Sequence, residues 1–433
     1  MTGIIVFVAA IILAILIGNK LKMNIGLIAF LFTFIIGYWV LGMRAKEITS
    51  LFPHSIFMNQ LCATAFFGYM TLNGTFQGIA NRLVYKVRNH PTLVPIALWG
   101  VGMVLALIGC GAQASVVMSP IAFALCAQAG FDPLLAGMIA WGSAVCTIGA
   151  PWTSGGSNVL RVFGEYMGEE SATKMLLTVM VVLYVVFFLY FLANVFISKK
   201  LGFSSTAREI HLEKPEPFTD KQKKTIVILI FFLVLMVVPS IGKMIFPKFK
   251  AFSWISARFD IHTICLIGIV VMQALGLADG KKVVKDKIPW NSVLMVTGMA
   301  TLVALAAKIG VVDYISSWAG GAFSARWLPL VMVVIGGLLS YVTTASSVIY
   351  PTFAPIIPSL AAAAGCSPIA LGVALMAGAN ATSFSPVSGG GAQAIVGASE
   401  EQREVIGARQ FMHAALLVIV FVILGAVGFF NIF

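Results

Sequence analysis

Polar residues are scarce along this chain and collect between long apolar runs, at 3–18, 25–43, 55–77, 172–198, 224–243, 261–278, 291–310 and 411–432. A helix needs about 20 apolar residues to cross the hydrocarbon core of a bilayer, so each run predicts a span. The first run follows Met1 without a basic leader and ends at Gly18-Asn19-Lys20 without a small-residue cleavage pattern, which predicts a retained helix rather than a signal peptide.

Two further apolar regions are punctuated by glycine, proline and hydroxyl residues, and the punctuation recurs at a fixed offset of 235 residues. Residues 129–160 align on 364–395 without a gap, and nine of 32 positions are identical, including Pro133 with Pro368, Thr147 with Thr382, Pro151 with Pro386, and Gly155-Gly156 with Gly390-Gly391. The same offset carries 25–43 onto 260–278, 57–77 onto 292–312, Pro120 onto Pro355 and 172–198 onto 407–433. Only the first span of each copy falls out of register.

The chain therefore divides into a first repeat over 1–199, a cytoplasmic linker over 200–223 and a second repeat over 224–433. Each repeat reads as three spans, a short interfacial stretch (77–91 or 312–326), a hairpin (92–129 or 327–364), a broken span (133–165 or 367–398) and a final span. At the first hairpin an apolar run ends in Gly109-Cys110-Gly111-Ala112-Gln113-Ala114-Ser115 and a second run returns through Pro120, as suits a re-entrant turn. If 92–129 enters and leaves on one side, each repeat crosses five times and the second is inverted; a full crossing by 92–108 gives parallel repeats instead. The fold class expected is an all-α polytopic membrane protein of two inverted five-helix repeats, each with a re-entrant helical hairpin and a broken helix.

Chemistry is expected at the breaks and hairpin tips, because unwound backbone at bilayer depth persists only where protein or a polar cavity satisfies it. For substrate, the candidates in the first repeat are Gln113 and Ser115 at the tip, then Thr153, Ser154, Gly155, Gly156, Ser157 and Asn158 at the break. In the second they are Thr344, Ser346 and Ser347 at the tip, beside Thr343, and Ser388, Gly389, Gly390 and Gln393 at the break. Helix N-termini there offer free N–H groups to an anion, and C-terminal carbonyls can hold a cation. Any single Ser or Gly could equally serve close helix packing. Matching polar breaks in both copies favour a binding site at a repeat interface.

Composition sharpens this picture: of 433 residues 60% are hydrophobic and 10% charged, and the mean hydropathy is +0.99. The formal net charge of +12 reflects Lys and Arg in short loops, where they set orientation and meet anionic lipid, so nucleic acid is not an expected partner. With both termini outside, 18 Lys and Arg lie inside and 10 outside, and the expected location is the inner (plasma) membrane, multi-pass. Six cysteines, all in apolar segments, show no metal spacing.

Between 92 and 160 the only charged side chain is Asp132, read as a helix cap before Pro133, and between 327 and 399 there is none. His413, in the last span, reads as a packing residue. No nucleophile, acid–base pair or metal cluster is visible, so no enzyme is expected. A dianion in an uncharged cavity needs compensation. Sodium held by oxygen ligands would supply it, with Thr147, Ser154, Asn158, Ser346, Asn380, Thr382 and Ser385 as candidate ligands and Na+ as coupling ion. A proton-coupled or uncoupled anion exchanger, or an anion channel, is the alternative.

The sequence resembles the MatC-type dicarboxylate carriers, within the group of divalent anion:sodium symporters and related ion transporters. The likeness is carried by Met23-Asn24-Ile25-Gly26 through Ala29-Phe30, by Gly42 and the stretch to Phe52-Pro53, by Leu72-Asn73-Gly74-Thr75, and by Ser383-Phe384-Ser385-Pro386 followed by Gly389-Gly390. It implies malonate, succinate or a similar small dicarboxylate as substrate, a homodimer, and an elevator motion of hairpins and broken spans against the other helices. The symporters usually show Ser-Asn-Thr at each tip; here Cys110-Gly111-Ala112 and Ala345-Ser346-Ser347 stand there, so the matching three residues of the first tip lack hydroxyls.

Overall fold

Backbone amides in hydrocarbon have no water to bind, and helices satisfy them internally. The structure, a computed structural model, describes residues 2–86, 93–200, 214–245, 250–259, 261–308, 323–341, 344–386 and 388–433, and among these helices occur without strands. The first repeat supplies α1 (Thr2–Leu21), α2 (Ile25–Ile35), α3 (His54–Leu72), α4 (Thr75–Lys86), α5 (Val94–Leu105), α6 (Ala114–Gln128), α7 (Pro133–Val145), α8 (Ser154–Met167) and α9 (Glu169–Lys200). The second supplies α10 (Asp220–Ile245), α11 (Ile261–Ala274), α12 (Trp290–Lys308), α13 (Leu328–Ser340), α14 (Ile356–Ala364), α15 (Pro368–Thr382), α16 (Gly389–Ala394) and α17 (Glu400–Ala426). Of the two interfacial stretches, the second lies largely outside the described residues, as does Thr343.

Equivalent helices exchange partners across the repeats: α2 packs along α12, and α11 along α3. Apolar side chains gain little from leaving lipid, so such pairs are held by close packing and hydrogen bonds. Asn24 caps α2 by accepting from Gly26 N at 2.8 Å, and its amide donates to Asn291 Oδ1 at 2.6 Å. Gly26 and Gly298 let the backbones touch, since a methyl on Gly26 would stand 2.0 Å from Leu294 O and one on Gly298 2.1 Å from Gly26 O. Gly298→Val is expected to lower the stability of the purified protein by about 3 kcal/mol through overpacking. An unchanged thermal midpoint would show that the crossing is looser than this.

The first hairpin turns back at Gly109 and Gly111, whose φ angles of +118° and +55° suit glycine. A methyl placed on Gly102 would lie 3.5 Å from Met118 Cγ. In an unbroken helix sixteen residues at ~1.5 Å each would hold those positions about 24 Å apart, so 94–108 is one arm of a folded-back pair. In the second hairpin α13 bends by 115° into 345–353, and α14 returns after Pro355.

Both broken spans are built from equivalent caps. Asp132 accepts from Leu134 N at 3.0 Å to open α7, and Ser367 from Ala370 N at 3.4 Å to open α15, each followed by proline at the first helical position. The second broken span ends at Ala394 rather than 398. Residues 395–399 form a turn, and Ser399 opens α17 with a capping box completed by Gln402, which starts the final helix eleven residues before the apolar run at 411.

Segments 18–24, 72–86, 214–225 and 273–291, which hold most of the Lys and Arg assigned inside, meet on one face. There Asn73 donates to Thr225 Oγ1 at 2.8 Å, Tyr69 to Gln273 Oε1 at 2.7 Å, and the Arg82 guanidinium lies 3.4 Å from the Phe218 ring centroid. Helices Glu169–Ser198 and Ile406–Ala426 are long and apolar enough to cross a membrane, and shorter apolar helices occupy 25–40, 262–274 and 293–306.

Candidate functional site

Each break turns on one hydroxyl and one glycine, at repeat-equivalent positions. Thr153 accepts from Gly156 N at 3.1 Å to cap α8, and Ser388 accepts from Gly391 N at 3.2 Å to cap α16. The caps also donate back to the break, Thr153 to Ala150 O at 3.0 Å and Ser388 to Ser385 O at 2.8 Å. The α-carbons of Gly156 and Gly391 press on those same carbonyls, so that a methyl would stand 1.9 Å from Ala150 O or 2.1 Å from Ser385 O. The backbone can thus unwind for a few residues and restart with its first N–H groups free of helical partners.

Each hairpin tip lies against the break of its own repeat. In the first, Trp152 Nε1 donates to Leu107 O at 2.8 Å, and a methyl on Gly111 would lie 3.2 Å from Ser154 Oγ and 3.8 Å from Gly155 N. In the second, Ser385 Oγ donates to Tyr341 O at 3.2 Å, and a methyl on Gly389 would lie 3.9 Å from Thr344 Oγ1. The absence of hydroxyls from Cys110-Gly111-Ala112 has a structural counterpart in this packing, because Gly111 brings backbone rather than a side chain to the break.

The two half-sites are tied to each other. Trp141 of α7 donates to Ser383 Oγ at 2.9 Å and stacks between Phe187 and Phe384, at centroid distances of 4.7 and 4.9 Å. Ser119 of α6 donates to Ala394 O at 2.7 Å and accepts from Gly397 N at 3.0 Å. Tyr350, beyond the second tip, packs against Phe163 of α8.

Of the substrate candidates, Ser115, Thr153, Gly156, Ser157, Asn158, Ser347 and Ser388 are buried, Gln113 and Gly389 exposed, and Ser154, Gly155, Thr344, Ser346, Gly390 and Gln393 half-buried. Several proposed cation ligands face the protein's own groups: Thr147 donates to Ala144 O, Thr382 to Gly337 O and Asn380 to the Tyr350 hydroxyl at 2.7 Å. The hydroxyl oxygens of the two threonines keep lone pairs that a hard cation could use.

Asp132 does more than cap α7. Arg409 of α17 grips it with two hydrogen bonds, at 2.8 and 2.6 Å, so the single charge in 92–160 is neutralised in place. His413, one turn on, is joined to the Tyr190 hydroxyl at 2.6 Å, in keeping with a packing residue. Sequence reasoning missed Arg409 as this partner, Trp152 as the pin of the first tip, and Asn59 of α3, which donates to Ser157 Oγ at 3.4 Å.

Residues 1–147 match the family described as dicarboxylate carrier protein MatC N-terminus, and residues 251–433 match the citrate transporter family. The N-terminal third is thus similar to dicarboxylate carriers and the C-terminal two-fifths to citrate transporters, both families of organic-anion carriers. In fold the carrier is similar to the crystal structure of the YdaH transporter of Alcanivorax borkumensis, described as having an unusual topology: the TM-score is 0.60 at 16% identity, over 88% of this chain and 86% of that one. No curated protein matches in sequence. The chain is therefore a membrane transporter of an organic anion, and its two glycine-built breaks are the candidate half-sites.

Proposed function

We propose that this carrier imports a small dicarboxylate of malonate or succinate size together with sodium, by an elevator-type alternating-access motion, as a homodimer of the inner membrane. The observation that carries the reading is the pair of equivalent half-sites, each a hairpin tip seated on a capped break. A dianion bound there meets free helix N–H groups and hydroxyls but no unpaired cationic side chain among the described residues of 93–160 and 327–399. Hard cations on carbonyl and hydroxyl oxygens would balance its charge. Accumulation then follows from the differing affinity of loaded and empty carrier for its two orientations.

Uptake into proteoliposomes, tested with malonate, succinate, malate, citrate and sulfate, is expected to favour a small dicarboxylate and to collapse when choline replaces sodium at constant pH. Undiminished uptake in choline would reject sodium coupling, and conduction without accumulation would indicate a channel. Asn158→Ala and Gln393→Ala are each expected to lower uptake about tenfold by removing a polar contact, with normal membrane insertion. Normal uptake by both would remove these residues from the site.

A further inference from the structure

Two buried amide oxygens in the first half-site have no hydrogen-bond partner, and they belong to facing helices. Asn59, on α3, is fully buried, and its Nδ2 reaches Ser157 Oγ at 3.4 Å while its Oδ1 is left unpaired. Asn158, the next residue along α8, is 5% exposed and its Oδ1 is equally unpaired. Buried carbonyl oxygens are seldom left in this condition, because each has given up water without replacement. Fold architecture does not require the arrangement either. The repeat mates of Asn59, Ser157 and Asn158 are Leu294, Ala392 and Gln393, so the second copy builds the same helices without it.

We infer that Asn59 is a ligand of a monovalent hard cation, Na+ above all, held with Asn158 and Ser157 where α3 meets the restart of the first broken span. The inference rests on the sodium-coupled reading above and adds to it a residue outside the hairpins and broken spans. Unpaired acceptors in a site without free carboxylates call for a donor or a weakly demanding cation, and uncharged oxygens suit an alkali ion better than a divalent one. The ligand set also answers a feature of the first tip. Cys110-Gly111-Ala112 brings no side-chain oxygen to the break, and Asn59 brings one from the other side. Helices α3 and α8 pack against each other here, so Asn59 completes the site in this orientation, and the ion would travel with Ser157 and Asn158 when the broken span moves.

The test is sodium binding to the purified carrier, measured with 22Na+ and by the thermal shift in NaCl against choline chloride, on wild type, Asn59→Leu and Asn59→Asp. Leucine is the residue of the second copy at this position, so it fits the helix. It is expected to weaken sodium binding about tenfold or more, while aspartate retains or tightens it because a carboxylate is the stronger ligand. Sodium affinity unchanged in Asn59→Leu, or weakened equally by leucine and aspartate, would overturn the inference and leave Asn59 a packing residue, with sodium coupling intact if the wild type still binds. A wild type that binds no sodium would overturn both.

Discussion

Gly156→Ala should reduce uptake at least about 100-fold while leaving the protein inserted in the membrane. The added methyl would fall 1.9 Å from Ala150 O and 3.1 Å from Thr153 Oγ1, and neither atom can yield cheaply: one is backbone, the other the hydroxyl that caps α8. The break must open, and displacements of about 1 Å at a site of this kind can cost a hundredfold in rate. Gly391→Ala should do the same through Ser385 O, 2.1 Å away, because the second break is the same device 235 residues on. Gly100→Ala is the control, since a methyl there meets nothing within 4 Å. Wild-type uptake by either variant would mean that the breaks tolerate a different turn and that their shape does not set the site.

The second large effect is on stability. Asp132 is 4% exposed and held by two bonds from Arg409, so Arg409→Leu strands a buried carboxylate and should cost about 3 kcal/mol. Asp132→Asn keeps the side-chain oxygen that caps α7 and should cost less alone. The informative variant is the double one: with the charge removed as well as its partner, Asp132→Asn should recover most of the loss seen in Arg409→Leu. The measurement is the thermal or denaturant midpoint of the purified carrier in each corner of the cycle. Strictly additive losses would mean that the pair is not coupled and that the two residues act separately.

These two devices differ in how far they can be read from the chain. Caps and breaks are local, so Thr153 with Gly156, Ser388 with Gly391 and Asp132 before Pro133 announce themselves within a few residues, and the 235-residue offset checks each against its mate. Pairings between distant elements carry no such mark. Nothing near Arg409 points to Asp132, 277 residues away, and nothing near Asn59 points to Ser157, 98 residues away. The hairpin lies between these cases. Glycines and a polar tip suggest a turn, but a kinked full crossing would use the same residues, and the approach of Gly102 to Met118 decides it. The end of the second broken span is hard to read for a related reason: 395–399 is apolar enough to continue a helix, and the competing capping box of Ser399 and Gln402 wins.

The proposed alternating access to the paired half-sites can be tested directly by thiol labelling. A single cysteine in place of Ser154, at the opening of α8 beside the first tip, would be introduced into a carrier whose six native cysteines are replaced. Reconstituted with sodium, it should react with a membrane-impermeant maleimide applied from either face, and a small dicarboxylate should protect it on both. Labelling confined to one face under all conditions, or indifferent to dicarboxylate, would contradict the account.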